Sequence, residues 1–266
     1  MTNNFKKAYR EIEAKIKSDK DLLRSVDLIA LLGSVADKEE SDDWSDLDVL
    51  VVLKSDGLGN ISLKDLGKLQ RILAEVSRRY KFPISILSHT IDDFEKYVSF
   101  EYLKHYSFGF CVYPSSDYLR KIIGQILAKR KIGEVTRKAY CAYHMRHIRF
   151  NLLRKYISLN EHSSPNFRKE FTKFLIDKMI KVTDLALNYI DLWPKNKKEI
   201  LDLAKKNLNI NMKPLKEALE IRSGWTEIDN EELMTLIPNG TNYLLQVINL
   251  VLKEYQVPTP EEKMSA

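Results

Sequence analysis

No other stretch of the chain constrains its architecture as tightly as LLGSVADKEESDDWSDLDVLVV, residues 31–52. It opens on the end of an apolar run, 27–32, with the length and composition of a buried strand, and that run stops at Gly33. A polar, acidic loop follows over 36–45. The chain then returns to a β-branched, largely apolar run at 46–53, interrupted only by Asp46 and Asp48. Side chains at i and i+2 of a strand share a face about 7 Å apart, so the two carboxylates can converge on hard divalent cations. Such sparse carboxylate sites are completed by water and by the oxygens of a bound triphosphate. Gly33 leaves room for a phosphate to approach the backbone, and Ser34 offers a hydroxyl and an N–H. Two aspartates at a strand start can also be plain solvent-facing residues, but that does not explain why they break an apolar run.

Working outward, the apolar spacing predicts a helix over 3–24 before the first strand and an amphipathic helix over 62–80, with Ser62 as its N-cap. A third strand follows at 82–88, then a helix over 91–104, and a short fourth strand at 110–114 closed by Pro114. From Ser115 onward the strand signals vanish. Helical patterns cover 116–130, 134–159, 166–192, 196–207, 213–223 and 239–256. The expectation is an α+β domain over 1–114 with a small mixed sheet flanked by helices. An all-helical domain over 115–258 and a disordered tail over 259–266 then complete the chain.

Composition narrows the partners. Residues 1–114 hold 17 Lys/Arg and 19 Asp/Glu, whereas 115–160 alone holds 11 Lys/Arg against Asp117 and Glu134. A local basic stripe suits a polyanion, either triphosphate or RNA, although a Lys-rich solvated helix face has the same composition. Cys111 and Cys141 are too few for a metal cluster or a disulfide framework and fit a reducing cytosol. The N-terminal residues lack an apolar signal region, and no run approaches ~18 apolar residues. The sequence therefore reads as cytoplasmic, with no membrane partner.

The strand–Gly33–Ser34–loop–Ser45-Asp46-Leu47-Asp48–strand pattern, with Ala36, resembles the polymerase β-type nucleotidyltransferase superfamily, in particular its minimal and antibiotic-type members. The likeness covers roughly residues 25–114, with Asp37 standing where many members carry a basic residue. It implies a nucleotidyltransferase sheet and an NTP, with ATP first, bound through Gly33 and Ser34. It also implies Mg²⁺ or Mn²⁺ held by the catalytic pair Asp46 and Asp48, and transfer of an NMP to a hydroxyl of a small molecule or protein. The family pattern has a third carboxylate on the next core strand, where this chain reads Phe82-Pro83-Ile84-Ser85-Ile86-Leu87. The aligned position is Ser85, which is a weak ligand and no base near neutral pH. Asp92 and Asp93 follow the strand, where charge compensation at a helix start is the simpler role.

In two-domain members the helical domain lends cations to the nucleotide phosphates, a role that suits Arg146 or Arg149. The other reading makes them the rim of a core built from Tyr140, Tyr143, Ile148, Leu152 and Tyr156. Arg137 and His144 fit the loose Arg-x6-His spacing of HEPN ribonuclease domains, a pattern that arises easily by chance in a basic helix. Three functions stand side by side. The first is a transferase. The second is a nucleotide-binding regulatory module that has lost the reaction with its third acid. The third is an antitoxin-like nucleotidyltransferase fused to a HEPN-like helical domain.

Overall fold

The computed structural model describes residues 3–32, 47–54, 63–81, 83–130, 134–159, 164–225 and 230–255. Four strands, Val26–Leu32 (β1), Leu47–Leu53 (β2), Ile84–Thr90 (β3) and Phe110–Tyr113 (β4), form one sheet in the order β3-β2-β1-β4. β1 runs antiparallel to β2 and β4, while β2 and β3 are parallel. The protein is α+β with a mixed sheet, as the strand signals imply. A parallel pair needs a crossover, and the helix Leu63–Tyr80 (α3) supplies it.

The central strands read as nearly unbroken apolar runs because both faces of the sheet are covered. On one face Val49, Val51 and Leu53 pack with Ile29 and Leu31 against Asn3–Ser18 (α1), Lys20–Ser25 (α2) and α3, through Ile12, Leu22, Leu73 and Val76. On the other, Leu50 and Val52 join Leu28, Ala30 and Leu32 beneath Ile91–Lys96 (α4), Phe100–Tyr106 (α5) and Tyr118–Arg130 (α6). Alternation along β2 assigns Asp48 to this second face. Gly109, just ahead of β4, is pressed onto the end of β1. A β-carbon there would lie 2.9 Å from the Leu31 carbonyl oxygen and 3.0 Å from that of Tyr106. Neither backbone oxygen can yield, so only glycine fits.

The expected 3–24 helix is two helices, parted where Asp19 caps α2 by accepting the Leu22 amide at 3.0 Å. Likewise the 91–104 helix breaks after Lys96, and Ser99 caps α5. A larger difference concerns the division of the chain. It separates into compact units of residues 1–131 and 132–266, so the break is not at Ser115. α6 buries Leu119, Ile123 and Ile126 in the same cluster as β1 and β2. Arg130 at its end donates to the backbone carbonyls of Phe94, Glu95 and Val98, at the end of α4. Strand signals end near 115, but the core they build does not.

The described part of the second unit is helical throughout: Glu134–Ile157 (α7), Pro165–Tyr189 (α8), Lys197–Asn207 (α9), Lys213–Ser223 (α10) and Asn230–Glu254 (α11). α8 is its axis. Every residue from Val182 to Tyr189 is buried, as befits a helix covered on all sides. Within it the Thr183 hydroxyl is 2.7 Å from the Tyr243 hydroxyl of α11. α11 begins nine residues before the expected start at 239, because it passes through Pro238. That proline sits exposed, while Leu236, Ile237, Gly240 and Tyr243 face inward and hold the helix despite the lost amide. Trp225 is buried, in keeping with a core-sealing role, whereas Trp193 is half-buried and donates its indole N–H to Asp191. Ser62 and the 259–266 tail lie outside the described residues.

Candidate functional site

β1 ends at Leu32, whose partner on β2 is Asp48, and Asp48 in turn is the parallel partner of Ser85 on β3. Leu32, Asp48 and Ser85 thus form one row across the sheet, with strands about 4.8 Å apart and side chains on one face. Asp48 and Ser85 are both half-buried. Of the residues the sequence singles out, Gly33, Ser34 and Asp46 lie outside the described residues. The row brings Asp48 beside Ser85, the position that the resemblance aligns with the family's third acid. Among the described residues no group of three or more His, Cys, Asp or Glu side chains is placed to hold a metal. The oxygen donors of the row are the Asp48 carboxylate and the Ser85 hydroxyl, which suit a hard cation but do not complete a site for one.

Asp92 and Asp93 cannot make up the deficit. They start α4 beyond the far end of β3, and Ser85 lies five residues back from Thr90, about 16 Å by strand rise. Thr90 caps the helix: its hydroxyl accepts the Asp93 amide at 3.1 Å and donates to the Asp93 carboxylate at 2.8 Å. Asp92 pairs with Lys96 at 3.8 Å. Both acids have the helix-terminal role expected of them.

A groove that the sequence does not announce lies further along β3. It is a cavity of about 760 Å³ lined by Leu87, His89, Asp93, Tyr97, Tyr102 and Tyr106. Tyr106 is buried, stacks on Phe94 with ring centroids 6.2 Å apart, and lies 6.2 Å from the His89 ring. Burial above all, then Tyr102 and the Asp48 carboxylate, pushes its phenol up to about 12. Tyr106 therefore stays a protonated donor within the field of Asp48. The only trace of this in the sequence is the i, i+4 spacing of Tyr102 and Tyr106 on one short helix.

His89 is held neutral. Burial lowers its pKa below the ordinary 6.5, partly offset by Asp93, and its Nε2 is buried with no hydrogen-bond partner among the described residues. The unfolded chain then binds this proton more readily than the folded one. Stability from His89 is complete above 6.5 and is lost as pH falls through the depressed folded value. His89→Gln should accordingly cost least at acid pH. Thermal unfolding of both proteins on descending through this window would show their midpoints converging, and a constant gap would refute the buried neutral state.

In the second unit Arg146 is exposed, with its guanidinium 5.6 Å from the centroid of the Tyr255 ring, and Arg149 is half-buried. Arg137 pairs with Asp191 at 3.0 Å, and Lys138 with Glu134 at 2.5 Å, so part of the basic excess at 115–160 is spent on internal pairs. His144 is half-buried against the rings of Tyr140, at 4.1 Å, and Tyr143, at 5.3 Å. Its pKa is lowered, by burial first and then by Lys181 and His147. Cys111 and Cys141 are both buried free thiols, and among the described residues no helix is long and apolar enough to cross a membrane. Comparison of the chain with known protein families and with curated proteins found no match.

Proposed function

We propose that the chain is a polymerase β-type nucleotidyltransferase that moves an NMP, with AMP first, from an NTP to a hydroxyl of a small molecule or a protein. One register supports the reading. The strand that leads into Gly33-Ser34 lies beside the strand that carries Asp48, in a mixed sheet, at the level of the family's third-acid position. In this reading Gly33 and Ser34 receive the triphosphate, while Asp46 and Asp48 hold Mg²⁺ or Mn²⁺. The bound ion neutralises charge on the phosphate oxygens. The acceptor oxygen attacks the α-phosphorus, the bond to the bridging oxygen breaks, pyrophosphate departs, and the acceptor proton passes to water or to a base. Tyr106, protonated and in the field of Asp48, is a donor on the groove side of the row. The buried free cysteines fit work in the cytoplasm.

A second reading is favoured by a specific residue. With Ser85 beside Asp48, the protein binds the nucleotide and performs no transfer, acting as a regulatory module. A single-turnover assay with α-labelled ATP and either Mg²⁺ or Mn²⁺ separates the two. Labelled acceptor and released pyrophosphate establish the transferase. Saturable binding without pyrophosphate establishes the module, and absence of binding with every NTP overturns both.

A further inference from the structure

We infer that the outward face of α7 is a docking surface for single-stranded nucleic acid. A helix turns about 100° per residue, which brings Tyr143, Phe150, Leu153 and Ile157 onto a single stripe roughly 120° wide, together with Arg146, His147 and Arg154. All seven are exposed, and the apolar ones unusually so: Tyr143 by 66%, Phe150 by 64% and Ile157 by 81%. The opposite side of the helix is the buried one, through Cys141, Met145, Ile148 and Leu152. A solvated helix face does not need four large apolar residues in line, so the stripe awaits a partner.

Charge selects which. The one carboxylate in 134–159 is Glu134, which lies off the stripe and is paired with Lys138. A second copy docked on this face would set Arg146 and Arg154 against their own counterparts, which is repulsive. The order of the side chains selects further. Over about 21 Å of helix Arg146 falls inside the apolar line, between Leu153 and Ile157, and His147 and Arg154 border it beyond Tyr143. A partner helix seated on that line would have to cover Arg146 and abut His147 and Arg154, with no carboxylate of α7 beside them. An unpaired strand offers alternating bases and phosphates, which stack on Tyr143 and Phe150 and pair with Arg154. The inference stands apart from the nucleotide site in the first unit, so either can fail alone.

Fluorescence anisotropy on the full chain with labelled 20-mers of RNA and DNA, unpaired and duplex, tests it. The expected result is preference for the unpaired strands, with the RNA and DNA arms reporting which sugar is favoured. The double variant Tyr143→Ala/Phe150→Ala should lose about tenfold or more in affinity with its unfolding midpoint unchanged. Arg154→Gln should lower the slope of log affinity against log salt by about 0.7, the share of one phosphate contact on a single strand. Equal binding to duplex and unpaired strands, full affinity in the double variant, or a dimer that the double variant dissolves would each overturn the proposal.

Discussion

Asp48→Asn should leave the unliganded protein folded and abolish the stabilisation that Mg²⁺ and ATP confer on the wild type. The substitution keeps the volume of the side chain in its half-buried place between Leu32 and Ser85 and removes only the charge. Without a cation the change relieves the desolvation cost that a carboxylate bears near the apolar face and the Tyr106 phenol, and the amide keeps the same size, so the fold is expected to hold. With a cation the loss is nearly complete. A neutral amide oxygen is a poorer ligand for a hard divalent ion, and in the proposed site it leaves one acid, Asp46, where two are needed. Wild type at a hundredfold excess of MgATP over its dissociation constant should gain about 2.7 kcal/mol, read as a shift in thermal midpoint. The variant should show none of it. An undiminished shift would move the metal away from β2, and a loss of fold in the unliganded variant would make Asp48 a structural residue.

The route from sequence to this site was uneven, and the reasons are physical. β1 and β2 were legible because strands covered on both faces leave unbroken apolar runs, and two aspartates inside such a run stand out. Their register was not legible. That Leu32, Asp48 and Ser85 share a row follows from how β2 pairs on both sides, and pairing between distant segments leaves no periodic mark. The same holds for the groove. Tyr106 reaches the field of Asp48 across 58 positions, and its helix reads as ordinary amphipathic chain.

The break between α4 and α5 was missed for another reason. Ser99 is a fair mid-helix residue by composition, and it becomes a cap only because Tyr97 and Val98 turn the chain back through the amides that bond to the Asp93 carbonyl. Ser115 ends the strand signals but not the first unit, because strand signals mark a sheet and not the helix that completes its core. α6 is basic like α7 after it, and only its burial against β1 and β2 assigns it to the first unit.

Ser85→Asp should raise nucleotidyl transfer about a hundredfold or more, at the low end of what a positioned general base supplies. The register makes the substitution specific. Position 85 is the parallel partner of Asp48, so a carboxylate there shares its face one strand away and would meet the cation of the proposed site. It can hold the metal from a third side and draw the proton from the acceptor hydroxyl, which the serine cannot do. The cost falls on the unliganded state. Two carboxylates about 5 Å apart at an effective dielectric of about 20 repel by roughly 3 kcal/mol, and partial exposure of both positions reduces that figure. Ser85→Asp should thus unfold at a lower temperature than wild type without metal and recover most of the difference in Mg²⁺, with the loss and its rescue both fading at acid pH as the carboxylates protonate. Ser85→Asn is the control, because it adds the same bulk without charge and should gain neither activity nor a metal-dependent rescue. If the aspartate variant behaves like the asparagine one in both readouts, the row Leu32–Asp48–Ser85 is not where the acceptor is deprotonated. With Asp92 and Asp93 committed to the start of α4, the base would then have to come from the acidic residues between Ala36 and Ser45.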